Sequence, residues 1–500
     1  MADEKALPKR AEDFSAWYNE LVLRSELADY SPVRGSMVIR PYGYRLWELM
    51  QRALDDMFKA TGHENAYFPL FIPLSFITRE AEHVEGFAKE MALVTHTRLI
   101  KGPDGGLIPD PESKLEEPLV VRPTSETIIY DAFSKWVQSY RDLPILINQW
   151  ANVVRWEMRT RLFLRTLEFL WQEGHTAHAT EQEATEEAER MLGVYRDFQE
   201  NWMAVPVITG FKSESEKFPG AVRTYALEAL MQDGKALQAG TSHMLGQNFA
   251  KQFDLKFQAE SGGWEYAWNT SWGVTTRMIG ALVMTHGDDS GLVLPPKLAP
   301  IQIVIVPIFR SEDQRAAVVA KVDDIAARLK EHAVRVHVDV RDNMSPGAKF
   351  YEWERKGVPL RMEIGPRDVQ NGQVVLVRRL VMEGQERKMM LPEGEAVNGM
   401  RGLLDEIQAS LLAAARARRD AGTHRDAIDF DAFRERLDSE GGFFFTGWCG
   451  DAACETRVKD ETKATIRVLP DEEFRSERAP DRCMVCGRPS QAEVVWARAY

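Results

Sequence analysis

Apolar residues recur at helical spacing near the amino terminus of the chain. The pattern predicts an amphipathic helix over residues 43 to 60, ended by Gly62. The apolar face of this helix consists of Trp47, Met50, Leu54, Met57 and Phe58. Residues 65 to 73 then read as a strand. Because the prolines at 69 and 73 cannot donate to a ladder, this strand suits an edge, a bulge or a subunit boundary.

Extended segments dominate the next two hundred residues or so. The candidates are residues 118 to 122, 150 to 157, 165 to 173, 205 to 209, 235 to 240 and 265 to 271. A helix is predicted at about 274 to 286. Clustered strands with few helices between them predict an α+β domain, in which helices pack on an antiparallel sheet.

The pattern changes after residues 291 to 300, which hold three prolines and read as a linker. A compact α/β unit follows, opened by an apolar strand at 301 to 306 and a helix at 312 to 331. Its remaining elements are predicted as a strand over 334 to 340, a helix from Ser345-Pro346 to Gly357, and strands at 358 to 364 and 373 to 379. A helix at about 400 to 418 leads to a third region. We therefore expect three domains, at 1–295, 296–398 and 399–500.

Composition narrows the class of protein. The amino terminus is charged where a signal peptide would be apolar, and no run of about eighteen apolar residues is present, so a cytoplasmic protein without a membrane span is expected. The formal net charge of -13 argues against a broadly basic surface. It leaves room for nucleic acid at a local patch such as Arg155, Arg159, Arg161 and Arg165. The acidic run 181 to 189 is read as a solvated helix face.

The four cysteines form two close pairs in the third region. Cys449 and Cys454 are separated by four residues, and Cys483 and Cys486 by two. In a reducing compartment disulfides are unfavoured, and two such pairs are typical of a closed, structural four-thiolate zinc site. Four independent buried thiols are the alternative.

The segment from Arg155 to His175 carries the most chemistry. In a strand, alternate side chains share a face, so one face would present Arg165, Leu167, Phe169, Trp171, Glu173 and His175. Arg155 and Glu157 would do the same on the preceding strand. Arginines can bind phosphate, an aromatic ring can stack on a purine, and carboxylates can bind a metal ion or an amine. The alternative is a charged, half-solvated hairpin. His178 is read as a surface residue rather than a metal ligand.

No P-loop and no glycine-rich dinucleotide motif is present, so a nucleotide would have to bind on this sheet. The segment resembles motif 2 of the class II aminoacyl-tRNA synthetases. Gly62 to Pro69 resembles motif 1, the helix and strand of the dimer interface, and Ser271 to Arg277 resembles motif 3. Within that class, residues 122 to 126, 171 to 178 and 238 to 243 are similar to those of the prolyl-tRNA synthetase family.

The resemblance implies a proline–tRNA ligase that uses ATP, Mg²⁺ and tRNA(Pro) and forms a homodimer. Its catalytic residues would be Arg155 and Arg277. The expected ATP or magnesium contacts are Arg155, Glu157, Arg165, Thr166, Phe169, Gln238, Thr241 and Arg277. The expected L-proline contacts are Thr124, Glu126, Arg155, Trp171, Glu173, His175 and His243. Strand alternation alone places Thr166 opposite Arg165, and Gln238 opposite Thr241.

The second domain resembles the anticodon-binding domain of class IIa synthetases. Its expected guanine contacts are Phe350, Glu354, Arg361 and Arg367. A merely solvated helix surface is the alternative from the residues alone. Only about a hundred residues separate Glu173 from Arg277, so the large editing insertion of bacterial-type enzymes is not expected. Together with the four cysteines, this resembles the archaeal and eukaryotic type. Threonine or histidine specificity, a non-catalytic tRNA-binding protein and an adenylate-forming ligase for another carrier are the rival functions.

Overall fold

The computed structural model describes residues 7–79, 91–157 and 159–500. The first region is an α+β unit. Its helices are α1 (Phe14–Arg24), α2 (Pro41–Ala60), α3 (Leu74–Arg79), α4 (Glu126–Trp136), α5 (Glu181–Asp197), α6 (Asn248–Gln252) and α7 (Arg277–His286). Its strands are β1 (Ala28–Tyr30), β2 (Met37–Ile39), β3 (Glu64–Asn65), β4 (Phe71–Pro73), β5 (Leu93–His96), β6 (Leu99–Lys101), β7 (Leu107–Pro109), β8 (Lys114–Val121), β9 (Ile145–Val154), β10 (Glu168–His178), β11 (Val207–Phe211), β12 (Arg223–Leu230), β13 (Ala236–Gly246), β14 (Lys256–Gln258), β15 (Trp264–Tyr266) and β16 (Trp268–Thr275).

A single large sheet organises this region. Strands β11, β12, β13, β16, β10 and β9 lie side by side in that order and pair antiparallel, and β3 joins the edge parallel to β9. The largest apolar cluster draws on α2, α5, α7 and this sheet, and it contains Leu54, Met191, Trp272 and Leu282. Gly174 of β10 makes the packing of Trp272 possible, since a Cβ there would lie 2.0 Å from the Trp272 ring.

The second region is the predicted α/β unit. Its elements are β17 (Ile303–Pro307), α8 (Glu312–Glu331), β18 (Val336–Val338), α9 (Pro346–Arg355), β19 (Leu360–Ile364), α10 (Pro366–Asn371), β20 (Gln373–Arg378), β21 (Lys388–Pro392) and α11 (Glu393–Ala421). The strand order is β18-β17-β19-β20-β21, and β17 is parallel to both of its neighbours. Residues of α8 and α11 share one core with the sheet, whereas Trp353 of α9 packs with Val304 and Val306.

The third region extends the sheet of the first. It consists of β22 (Thr423–His424), α12 (Phe430–Ser439), β23 (Phe443–Trp448), α13 (Ala452–Thr462), β24 (Thr465–Pro470) and β25 (Ala492–Ala497). Strand β24 pairs antiparallel with β11, so the combined sheet runs β22-β23-β25-β24-β11 and onward to β3. The third region is therefore joined to the first by backbone hydrogen bonds.

Several expectations about the chain are wrong in detail. The strand predicted at 65 to 73 is broken into β3 and β4. The intervening residues, which include Pro69, lie outside both strands. Residues 291 to 300 are not a free linker, because Leu292, Leu294 and Leu298 are buried in the first region's core. Strand β12 was missed. Among the described residues, no helix is both long enough and apolar enough to cross a membrane.

Candidate active site

A cavity of about 510 Å³ opens on the face of the sheet opposite α5. Tyr195 of α5 donates a hydrogen bond to Gln172 on the far face of β10, while Trp171, Glu173 and His175 on the near face line the cavity. Every residue for which an ATP or proline contact was expected lines the cavity. These residues are Thr124, Glu126, Arg155, Glu157, Arg165, Thr166, Phe169, Trp171, Glu173, His175, Gln238, Thr241, His243 and Arg277. The residues with expected ATP or proline contacts therefore lie around one cavity, and their individual roles stay predictions.

Three guanidinium groups meet in this cavity. Arg277, the first residue of α7, has a pKa lowered to about 10 by burial and by the positive charges of Arg165 and Arg155. Its Nε donates to the carbonyl oxygen of Leu164 at 3.1 Å. Burial also lowers the pKa of Arg155, and the nearby carboxylates of Glu126 and Glu173 oppose this shift. Like charges placed this close repel one another, so the arrangement suits a polyanion such as a triphosphate.

Arg155 is fixed between backbone and aromatic rings. Its Nε donates to the carbonyl oxygen of Pro123 at 3.0 Å, and its backbone amide donates to Leu167 at 2.8 Å. The guanidinium carbon lies 5.5 Å from the centroid of the Phe169 ring and 5.7 Å from that of Trp171. These contacts pre-orient the guanidinium group, which lowers the entropy lost when it binds an anion.

The inner end of the cavity is built around buried carboxylates. Oε1 of Glu173 accepts hydrogen bonds from Ser125 Oγ and Gln149 Nε2, and Oε2 lies 3.0 Å from His175 Nε2. Glu126 accepts a hydrogen bond from the Thr124 hydroxyl. Within the described chain, four buried atoms of cavity-lining residues have no hydrogen-bond partner: Trp171 Nε1, His175 Nδ1, Ser271 Oγ and Trp272 Nε1. Buried polar atoms are normally paired, so this end suits a small polar ligand.

His243 forms another part of this wall. Burial lowers its pKa to about 4, so the ring is neutral at pH 7. Its Nδ1 lies 3.0 Å from Thr224 Oγ1, and its ring centroid lies 4.6 Å from that of Phe218, with the two planes tilted by 32°.

Regular strand alternation does not extend to the edges of the site. Residues 155 to 167 lie outside β9 and β10, so Arg165 and Thr166 both reach the cavity from a loop, whereas Leu167 does not line it. Within that loop, Glu157 Oε2 lies 3.6 Å from Arg165 Nε, and Thr166 donates to the carbonyl oxygen of Glu168.

A β-bulge resolves the conflict between Gln238 and Thr241. Leu227 pairs with Gly240 and Glu228 pairs with Gln238, so Ala239 is the extra residue on β13. One extra residue shifts the alternation by one, and it brings Gln238, Thr241 and His243 to the same cavity. The sequence alone gave no sign of this bulge.

His178 is not a surface residue. It is buried at the end of β10, where its Nε2 lies 2.8 Å from Thr176 Oγ1, and burial lowers its pKa to about 4. Nearby, the acidic run of α5 is only partly solvated, because Glu187 is buried and its Oε1 lies 3.2 Å from His63 Nε2. Both side chains belong to the packing of the sheet against α5.

Sequence reasoning missed one wall of the cavity. Residues 212 to 219 follow β11, and Lys212, Glu216, Lys217, Phe218 and Pro219 all line the cavity. This highly charged stretch looks like an ordinary solvated loop in the sequence. Only its position between β11 and the missed strand β12 brings it to the site.

The four cysteines lie together at the start of α13. The Sγ atoms of Cys449, Cys454, Cys483 and Cys486 are all within 4.8 Å of one another, and Cys449 lies 3.7 Å from both Cys454 and Cys486. A tetrahedron with Zn–S bonds of about 2.3 Å has sulfur–sulfur edges of about 3.8 Å, so these sulfurs fit a zinc ion. Arg488 faces the cluster, with its Nε 3.3 Å from Cys486 Sγ. None of the four is in a disulfide.

The residues expected to read the anticodon lie on α9, β19 and α10. The guanidinium carbon of Arg361 lies 4.0 Å from the Phe350 ring centroid, and Arg361 and Glu354 line one shallow depression. Arg361 also donates to Glu363, and Glu354 accepts from Arg387. Arg367 is exposed on α10 and does not line this depression. The structure thus groups three of the four side chains.

Comparison with known proteins matches this architecture. The family model for the tRNA synthetase class II core domain (G, H, P, S and T) matches residues 110–286, and the model for the anticodon binding domain matches residues 302–401. The fold and the cavity define a class II aminoacyl-tRNA synthetase.

The third region and the full-length relatives specify the family. The model for the C-terminal domain of prolyl-tRNA synthetase matches residues 430–500. Proline–tRNA ligases of Bacteroides fragilis and Salinibacter ruber are 57% and 56% identical to this chain, and each match covers 100% of both chains. A crystal structure of prolyl-tRNA synthetase from Cryptosporidium parvum, complexed with halofuginone and AMPPNP, is 40% identical with a TM-score of 0.90, and the match covers 99% of each chain. The chain belongs to the prolyl-tRNA synthetase family.

The predicted class, α+β fold and proline–tRNA ligase function are therefore confirmed. These relatives do not favour threonine or histidine specificity or a non-catalytic role.

Proposed function

We propose that the protein uses this cavity to join L-proline to the AMP moiety of ATP. It then transfers the prolyl group to the 3′ end of tRNA(Pro). The observation that carries this proposal is the convergence of Arg155, Arg165 and Arg277 beside a buried pocket of carboxylates and histidines. The three arginines suit a triphosphate, and the buried pocket of carboxylates and histidines suits the amino acid.

Each step has simple chemistry. A carboxylate oxygen of proline attacks the α-phosphorus of ATP, the bond to the β-phosphate breaks, and pyrophosphate leaves with the electron pair. In the second step a ribose hydroxyl of tRNA attacks the carbonyl carbon of the adenylate, and AMP leaves. The proline carboxylate is already ionised at pH 7, so the first step needs no general base. It needs positive charge near the phosphates and correct alignment.

The roles follow the position of each side chain. Arg155, fixed at the junction of the two subsites, would hold the α-phosphate and the proline carboxylate. Phe169 would stack on adenine, and Arg277 at the start of α7 would hold the γ-phosphate with Arg165 nearby. Further ATP or Mg²⁺ contacts would come from Glu157, Thr166, Gln238 and Thr241. Bound Mg²⁺ would supply positive charge to the phosphate oxygens.

The proline subsite is assigned to the buried end of the cavity. Thr124, Glu126 and His243 would contact the substrate, and Trp171, Glu173 and His175 would complete the wall. Glu126 and Glu173 supply the negative charge that a substrate ammonium group needs. His175 Nδ1 and Trp171 Nε1 supply polar atoms free of other hydrogen bonds in the described chain.

The cavity fits proline but does not exclude smaller amino acids strongly. A missing methylene changes binding by only about 1 to 3 kcal/mol, so alanine would be activated at a low rate. Between Glu173 and Arg277 the chain forms α5, β11, β12, β13, α6, β14, β15 and β16, all in or against the catalytic region. We therefore propose that the enzyme lacks editing in cis. Rapid hydrolysis of alanyl-tRNA(Pro) by the purified protein would contradict this.

We further propose that the chain divides at about residues 295 and 398, the second boundary falling within α11, into catalytic, anticodon-binding and zinc-binding domains. Phe350, Glu354, Arg361 and Arg367 would contact the anticodon, and the four-cysteine cluster would hold a structural Zn²⁺. A homodimer is supported by apolar side chains on the surface, such as Tyr67 in the motif 1 segment, which is 73% exposed, and Leu107 on β7, which is 71% exposed.

The test is an amino-acid panel in ATP–pyrophosphate exchange. Proline should support exchange at low concentration, alanine should do so only weakly, and threonine and histidine should give no exchange. Equal or faster exchange with threonine or histidine would overturn the assignment.

A further inference from the structure

The segment Lys212–Pro219 lies between the cavity and the third region and contacts both. On one side its residues form the cavity wall that sequence reasoning missed. On the other side it is held by side chains of α13 and by a backbone carbonyl oxygen of β24. The segment is therefore placed to transmit the position of the third region to the substrate pocket.

The strongest contact to the third region is a buried hydrogen bond. Ser213 Oγ donates to Oε1 of Glu455 at 2.6 Å, and both residues are buried. A second contact, between Lys459 Nζ and Glu216 Oε1 at 2.9 Å, is exposed. A buried charged acceptor strengthens a hydrogen bond, whereas water screens an exposed ion pair. The Ser213–Glu455 hydrogen bond therefore contributes more to holding the segment than the Lys459–Glu216 ion pair.

A second buried group anchors the beginning of the segment. Lys212 Nζ donates to Glu228 Oε1 and to the carbonyl oxygen of Arg467 on β24, both at 2.7 Å. Arg467 also donates to both carboxylate oxygens of Glu228. The start of the segment is thus tied to the third region independently of Ser213, so loss of the Glu455 contact would free only the part that follows Lys212.

That later part reaches the proline subsite. The backbone amide of Phe218 donates to Thr224 Oγ1 at 2.9 Å, and the same hydroxyl lies 3.0 Å from Nδ1 of His243. The Phe218 ring packs against that of His243, with the centroids 4.6 Å apart and the planes tilted by 32°. The orientation of His243 therefore depends on where the segment holds Phe218.

The four-cysteine cluster fixes the other end of this connection. Glu455 directly follows Cys454 in the first turn of α13, so the sulfur cluster sets the position of its carboxylate. Glu455 does not line the cavity, so it is not in a position to touch substrate as a catalytic residue does.

We propose that Glu455 is a positioning residue for amino-acid binding, holding Ser213 so that Phe218 and His243 form the proline pocket. This gives the third region a role in substrate affinity. The inference rests on the proposed function, because it takes the inner end of the cavity as the proline subsite.

The experiment compares five variants of the full-length protein in ATP–pyrophosphate exchange. Glu455→Ala and Ser213→Ala, made singly and together as a double variant, remove the hydrogen bond, while Glu455→Gln keeps an oxygen that can accept it. Glu461→Ala is the matched control, since Glu461 lies on the same helix and pairs only with exposed groups in the described chain, Arg457 and Arg434. Michaelis constants for proline and ATP, zinc content and amide hydrogen exchange of residues 212–219 are measured for each.

Glu455→Ala and Ser213→Ala should raise the KM for proline by roughly tenfold, the size expected from losing one hydrogen bond to a charged group. The KM for ATP and the zinc content should stay unchanged, exchange in residues 213–219 should become faster, and Glu455→Gln should recover most of the loss. The double variant should be no worse than either single one.

An unchanged KM for proline in both single variants would overturn the inference, as would a parallel loss of zinc and of all kinetic parameters. Additive effects in the double variant would overturn it as well. If the unmodified protein shows no proline-dependent exchange, the proposed function fails first, so the two failures are distinguishable.

Discussion

The guanidinium carbon of Arg155 lies 5.5 Å from the centre of the Phe169 ring, although the two residues belong to different strand ends. A single nucleotide can therefore contact both, with its α-phosphate at Arg155 and its base on the phenyl ring in a bent conformation. Trp171, which is 5.7 Å from the same guanidinium carbon, continues toward the buried carboxylates. Under the proposed roles, this geometry would place the phosphate and the amino acid next to each other.

The repulsion among the three arginines predicts an unusual effect on stability. Replacing Arg277 by Met should leave the thermal midpoint of the ligand-free protein unchanged or higher, because one of three repelling charges is removed. It should also remove the stabilisation by ATP and Mg²⁺, which is about 2.7 kcal/mol at a ligand concentration of about 100 times Kd. Differential scanning fluorimetry measures both quantities. Arg159→Met, an exposed change on the loop that carries Arg165, should retain the ATP effect.

Buried histidines predict the response of stability to acid. The pKa values of His178 and His286 are both lowered to about 4 by burial. Between about pH 4 and 6.5 the unfolded chain binds these protons and the folded chain does not, so the free energy of unfolding falls as the pH is lowered. Each histidine contributes up to about 1.4 kcal/mol per pH unit in this window.

Urea unfolding at several pH values measures this slope. His286→Gln should reduce this slope by up to one proton, because the titrating ring is removed. Glutamine can still donate to the carbonyl oxygen of Met203, which His286 contacts at 2.9 Å. A slope identical to that of the unmodified protein would mean that His286 is already protonated in the folded state.

The cysteine cluster predicts one zinc ion per chain. Elemental analysis should give a ratio near one, and Cys454→Ser should lower it strongly while the second region stays folded. The four cysteines join the start of α13 to residues 483 to 486. Zinc removal should therefore also expose residues 450 to 490 to limited proteolysis. Full zinc retention by Cys454→Ser together with Cys483→Ser would exclude a four-thiolate site.

The exposed apolar hairpin of β6 and β7 predicts a subunit contact. Leu99, Ile100, Leu107 and Ile108 all lie at the surface. A charge introduced by Leu107→Glu should shift the protein from dimer to monomer in analytical ultracentrifugation, since an unpaired charge is costly in an apolar interface. Lys101→Glu, on the same hairpin but already polar, should have a smaller effect. A monomeric unmodified protein at micromolar concentration would refute the dimer.

Much of the site follows from the sequence because its centre lies on a regular strand. Trp171, Glu173 and His175 share a face for the simple reason that strand side chains alternate. The remaining walls depend on features without a local signal. Arg165 and Thr166 come from a loop, and Gln238 joins Thr241 only because Ala239 forms a bulge.

The same limit explains the errors of the fold. The prolines near residue 295 suggested a linker, but Leu292 and Leu298 are buried by tertiary contacts that composition does not reveal. Strand β10 runs five residues past the end predicted from the sequence, so His178 is buried rather than at the surface. The division into three domains, the dimer, the cytoplasmic location and the anticodon contacts stay predictions.

The most direct test of the central claim is calorimetric binding of a stable prolyl-adenylate mimic, 5′-O-(N-prolylsulfamoyl)adenosine, in which a sulfamoyl group replaces the phosphate. The account predicts one molecule bound per chain, more tightly than proline or ATP alone, with affinity reduced at least about a hundredfold by Arg155→Ala and clearly reduced by Phe169→Ala. Binding that neither substitution weakens would contradict it.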